Sequence, residues 1–238
     1  MARIVRLNVP MRQAEDVIPH LGKAIHWKEG RSAKSLADAW FYANDIPDDV
    51  RAVLDQAAEY RDVELLDAFL ERCTNLEDGR ATPSQTDLLA ILGARDGLAV
   101  MGVEAKVTES FGPIVEDWLD GGQGKQARLA TLCARLGLDH ASALPLRYQL
   151  LHRTVAVLLE ARRYRTTRAL MVVQSFCPQR TGFADFAAFV EALGYPSVAP
   201  DRLTSSRAIG DIELRLGWIS SSVPSLARTP NAVAIGEE

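Results

Sequence analysis

The sequence predicts an α/β fold, a central mixed sheet flanked by helices and preceded by an N-terminal helical segment. Three observations predict it. Helical periodicity runs through residues 32–73. Two apolar runs, Leu88–Leu92 and Leu98–Val107, flank Gly93-Ala94-Arg95-Asp96-Gly97, whose glycines and Asp supply hairpin-turn chemistry. A third apolar run, Ala169–Phe176, follows the longest helical stretch and suits a strand buried on both faces.

At 238 residues and 47% hydrophobic, the chain can bury one substantial core. We expect a single domain over residues 1–220, mainly helical over 1–75, with the sheet core over 80–220 and a mobile tail over 221–238. There is no run of eighteen apolar residues and no secretory pattern at MARIVRLNVPM, so we expect no membrane association and a cytoplasmic location. The three cysteines, Cys73, Cys133 and Cys177, have no zinc spacing and do not make a disulfide framework.

The elements follow in order. Residues 3–8 alternate as a short edge strand that Pro10 ends. Residues 12–24 are weakly helical. A helix over Ser32–Asn44 puts Leu36, Ala37, Trp40 and Phe41 on one face. Pro47 starts another, from Asp48 to about Tyr60, with Val50, Val53, Leu54 and Ala57 inward. A third spans Val63–Cys73 with Leu65, Leu66, Phe69 and Leu70 apolar. After the hairpin come helices over 112–119 and 125–137, the latter stopped by Gly137. The longest helix spans Pro145 to about Tyr164. A helix at Phe183–Leu193 and an alternating strand at Ile212–Ser220 complete the chain. Gly121-Gly122-Gln123-Gly124-Lys125 is read as a loop, because Gln126 stands where a phosphate loop requires Ser or Thr. His26 and Trp27, with no second ligand nearby, are read as packing.

The hairpin carries the polar residues that matter. In Val103-Glu104-Ala105-Lys106-Val107, period-two alternation puts Val103, Ala105 and Val107 on one face and Glu104 and Lys106 on the other. A fold about Arg95 and Asp96 sets Asp87 opposite Glu104, with the carboxyl groups expected about 4–5 Å apart. Two carboxylates at that spacing make an all-oxygen site for Mg²⁺ or Mn²⁺. A lysine beside them orients water or stabilises phosphoryl charge.

Asp87, followed sixteen residues on by Glu104-Ala105-Lys106 at the ends of an antiparallel hairpin, resembles the PD-(D/E)XK nuclease superfamily, which has the restriction-endonuclease-like fold. The resemblance implies that Asp87 and Glu104 bind the metal and that Lys106 is catalytic. Thr86, not Pro, precedes Asp87. In that superfamily an acid from the helix before the hairpin often joins the metal site, and Glu64, Asp67 and Glu71 are the candidates here. Gln149 falls on the helix where some exonuclease-like members carry a Gln, but Arg153 replaces their Tyr four residues on, so we read Gln149 as helix surface. The run Glu104–Val107 with Phe111-Gly112-Pro113 also looks like a set of uncharacterised bacterial proteins, which implies no activity.

Charge points to a partner. Residues 1–120 carry net −9, residues 121–180 net +8 and residues 181–238 net −3. The basic block is the expected phosphate-facing surface for DNA or RNA, with Arg147 and Arg153 as its contacts. Two functions stay open: a Mg²⁺-dependent phosphodiesterase, and a nuclease-fold binding module without catalysis. A third reading, a different α/β enzyme with a small-molecule substrate, lacks support, since no G-x-S-x-G, H-E-x-x-H or complete glycine fingerprint occurs.

Overall fold

The computed structural model describes residues 10–22, 25 and 27–222. The strand expected at 3–8, His26 and the tail beyond Ser222 lie outside those residues. A 3₁₀ turn at Ala14–His20 packs Ala14 and Val17 on Ala37 of α1 (Ser32–Ala43). Helix α2 (Asp48–Leu54) is shorter than expected, and residues 58–60 form a separate 3₁₀ turn.

The stretch expected as a third helix is instead strand β1 (Glu64–Thr74). It pairs antiparallel with β2 (Ser84–Ala94), from Glu64↔Gly93 to Thr74↔Ser84. Its apolar residues divide between the two faces: Leu65 and Leu70 pack toward α1 and α2, and Phe69 packs toward the opposite core. A helix would have put all of them on one side. Pairing along the open edge of β2 overrides a helical pattern that is ambiguous over so short a run.

Strand β3 (Gly97–Lys106) completes the hairpin. Its register, Leu88↔Val103 through Ala94↔Gly97, is the expected one, and the turn is the two residues Arg95 and Asp96. Past the short helices α3 (Val115–Trp118) and α5 (His140–Ala143), α4 (Gln123–Leu136) and α6 (Tyr148–Arg163) carry the chain across the sheet to β4 (Arg168–Ser175). Strand β4 lies parallel to β3. After α7 (Phe183–Ala192), β5 (Arg202–Leu203) and β6 (Arg207–Ile209) flank β7 (Ile212–Ser220), which is parallel to β4. The result is one seven-stranded mixed sheet, ordered β1-β2-β3-β4-β7-β5, with β6 also on β7.

Two cores sandwich the sheet. Leu150, Val155 and Val157 of α6, Leu129 and Leu132 of α4 and Phe186 and Phe189 of α7 pack on Ile91, Val100, Met171 and Trp218. On the other face Leu36 and Trp40 of α1 and Val50 and Leu54 of α2 pack on Leu88, Met101, Val103 and Leu170. The central strand β4 therefore reads as a continuous apolar run because both its faces are buried. Gly102 of β3 lies directly under α6. A side chain there would collide with Val157, so the missing Cβ lets the helix approach the strand. No helix among the described residues is long and apolar enough to cross a membrane.

Candidate active site

The hairpin ladder ends at Leu88↔Val103, but both strands continue. Beyond that pair β3 stays bound only along its other edge, where it pairs with β4 from Val100↔Ala169 to Lys106↔Ser175. Where β2 and β3 part, the Ala105 N–H lacks a strand partner and donates instead to Asp87 Oδ2 at 2.8 Å. The Asp87 carboxylate thus replaces a rung of the ladder.

A change of face in β1 and β2 accompanies the split. Leu70 and Leu88, paired with each other, both pack toward α1 and α2. Two residues before or after, even-numbered side chains should keep that face. Instead Arg72 and Thr74 bond Glu160 of α6, and Ser84 bonds His152 and Arg153 of α6. The switch falls at Glu71, which holds a left-handed φ of 54°, across from Asp87. The kink sets Glu71 and Asp87 on the wall of a cleft of about 500 Å³ that also takes in Gln85, Glu104, Lys106, Gln149 and Arg153.

Glu104 is the hub of that cleft and only 2% exposed. Its Oε1 accepts from Lys106 Nζ at 2.6 Å and its Oε2 from Arg153 Nε at 2.6 Å. Arg153 Nη1 also donates to Ser84 Oγ at 3.1 Å, and its Nη2 lies 3.7 Å from Asp87 Oδ1. One guanidinium therefore serves both carboxylates. Lys106 is also close to the Phe111 ring, 4.9 Å from its centroid.

The fields follow from this packing. Burial raises the Glu104 pKa, but Arg153 and Lys106 outweigh it and hold the carboxyl at about 2. Burial, and then repulsion from Glu104, push Asp87 up to about 6 despite Arg153 and Lys106. Burial and the Asp87 charge push Glu71 up to about 8, against a hydrogen bond from Gln85. Burial, with Arg153 alongside, holds His152 well below the usual imidazole range.

The Glu71 shift has a measurable sign. Its folded value lies above its unfolded one, so its favourable contribution is complete below about pH 4.5 and is lost as pH rises through 8. Glu71→Gln is expected to stabilise the protein by about 1–3 kcal/mol at pH 8.5 and by nothing measurable at pH 4. Denaturant midpoints at the two pH values check this, and equal midpoint shifts at both would refute it.

The structure brings Asp87, Glu104 and Lys106 together as the sequence pattern anticipates, with two corrections. Lys106 does not sit at an open rim: it is 5% exposed on the cleft floor. Arg153 is not a surface phosphate contact either. It is 8% exposed and bonded inside the cluster. Arg147 is tied to Asp185 at 3.0 Å and to the Gly112 carbonyl at 2.7 Å. The +8 block as a whole is not a free cationic face. Lys125, Arg128, Arg135, Arg162, Arg168 and Arg180 pair with Asp120, Asp78, Glu77, Asp211, Asp96 and Asp201. Only Arg163 and Arg165 of that block carry no ion pair among the described residues. Of the three upstream acids, Glu71 reaches the cleft, and it does so from a strand. Gln149, read as helix surface, lines the cleft as well.

A family model described as a domain of unknown function (DUF6946) matches residues 10–223. No curated protein and no solved structure matches the chain.

Proposed function

We propose, for a chain that belongs to the DUF6946 family and inherits no activity from that family's description, a metal-dependent hydrolase of phosphodiester bonds in DNA or RNA. The observation that carries this reading is the meeting of Asp87, Glu104 and Lys106 on the cleft floor where β2 and β3 part. The sheet adds support. β1, β2 and β3 run antiparallel in succession and β4 lies parallel to β3 after a helical crossover, which agrees with the core order of the PD-(D/E)XK superfamily.

Asp87 and Glu104 are hard oxygen donors, and both already face one positive group, Arg153. That is the charge arrangement a cation site needs, so we assign Mg²⁺ or Mn²⁺ to this pair. When bound, the ion would supply Lewis acidity at a phosphoryl oxygen and make a nearby water easier to deprotonate. Lys106, held by Glu104, stabilises negative charge that develops on the phosphate. Gln149 offers an amide group to a substrate in the cleft. The three cysteines are all free, in keeping with the cytoplasm as the place of action.

One observation favours a second reading, a binding module without catalysis: Lys106 and Arg153 already balance the two carboxylates with two cations. Release of labelled fragments from mixed DNA and RNA, with and without chelator, separates the two. Cleavage is expected only with Mg²⁺ or Mn²⁺. Asp87→Asn is expected to keep the fold, since its amide oxygen still accepts from Ala105, while metal binding and cleavage are both lost. Chelator-resistant cleavage would end the metal reading. Metal binding without cleavage of any substrate would select the module.

A further inference from the structure

Every oxygen of the proposed metal-holding pair already has a partner. Lys106 Nζ takes Glu104 Oε1, Arg153 Nε takes Glu104 Oε2, and the Ala105 N–H takes Asp87 Oδ2. Asp87 Oδ1 faces Arg153 Nη2 at 3.7 Å. Of these partners, only Arg153 touches both carboxylates. It is anchored as well, by Ser84 at its far nitrogen and by a helix packed tightly on Gly102. A side chain so held is a built component of the site and not a surface cation that happened to settle there.

We infer that Arg153 is the resident counter-ion of the Asp87–Glu104 pair and a positioning residue of the metal site, so that a divalent cation gains both carboxylates only as the guanidinium gives them up. This rests on the reading of that pair as the metal-holding one. Two positive groups cannot share one pair of carboxylates a few ångströms across without strong repulsion. Arg153 therefore keeps the site charge-balanced without metal and sets its metal affinity low. In the metal-bound state the guanidinium is free to turn toward another anion in the cleft, such as a substrate phosphate.

The test is Mn²⁺ binding to the full chain, read from the paramagnetic resonance of free Mn²⁺, for the parent, Arg153→Met and Arg153→Lys. The neutral Met variant is expected to bind Mn²⁺ at least about tenfold more tightly, and the charge-keeping Lys variant to stay within about threefold of the parent. Adding Glu104→Gln to the Met variant is expected to erase the gain. A Met variant that binds no more tightly than a metal-binding parent overturns the inference and leaves the hydrolase reading standing. Tight binding by the Met variant alone supports the inference and overturns the hydrolase reading. Binding by neither overturns both. A second readout needs no variant to fold: the Arg153 Nε–H resonance of the parent. Its bond to Glu104 is expected to be lost as Mg²⁺ saturates the Ala105 amide shift, and an unchanged Nε–H signal at saturation overturns the inference.

Discussion

Lys106→Met is expected to lower metal-dependent cleavage by about 10³-fold or more, as loss of one charge-stabilising donor does in other active sites. Met is the informative replacement. Lys106 is 5% exposed and its ammonium sits near the Phe111 ring, so Ala would open a void as well as remove the charge. Met keeps the volume. Arg153 still holds Glu104 Oε2 in the variant, so the carboxylate keeps one of its two cations. The loss should fall on kcat, with KM changed little, because the ammonium acts on charge that develops during the reaction. A folded Lys106→Met protein as active as the parent would remove the hairpin from consideration as the active site.

The largest effect on stability is expected at Glu104. Glu104→Ala leaves Lys106 and Arg153 in a buried site without the carboxylate that bonds both of them. Breaking a buried ion pair from one side costs about 3–5 kcal/mol. For a chain of this size that is a fall of about 6–20 °C in melting temperature. The parent should also lose stability in acid. The Glu104 carboxyl is held at about 2, so its contribution is complete above about pH 4.5 and is lost as pH falls toward 2. Glu104→Gln should flatten that part of the pH profile. Thermal melts from pH 2 to 7 measure both effects, and a Glu104→Ala protein within 1 kcal/mol of the parent would refute the hub role.

Much of the sheet was legible in the sequence, for identifiable reasons. The glycines at 93 and 97 and the apolar runs beside them pinned the register up to Leu88↔Val103, the pair next to Asp87 and Glu104. The continuous run at Ala169–Phe176 marked a strand with two buried faces. β1 was not legible. A register shift between Leu65 and Asp67 and the change of face at Glu71 destroy the period-two alternation that identifies a strand. What survives, Leu65, Leu66, Phe69 and Leu70, mimics a helix. Arg153 was misplaced because arginines are mostly exposed. A signal was present, however. Leu150 and Val157 are buried two helical turns apart, and Arg153 falls between them on the same face. An arginine on a buried stripe requires a buried acid, and Glu104 was the acid already singled out. The charge block misled for a related reason. Its acids lie outside it in sequence, so a window count separates partners that the fold joins.

The parallel pairing of β3 with β4 has a consequence for the order in which the protein is made. β2 and β3 emerge from the ribosome as a local hairpin that carries both carboxylates and Lys106. Arg153 follows 49 residues after Glu104, and β4, which clamps the far edge of β3, comes later still. For that interval the nascent chain displays the carboxylates with Lys106, while α1 and α2 can already cover one face and only the α6 side stays open. A growing chain is built from its N-terminus, and such a hairpin is exposed until the crossover docks. The guanidinium arrives with the helix that roofs the site, so charge balance and closure are completed in the same step.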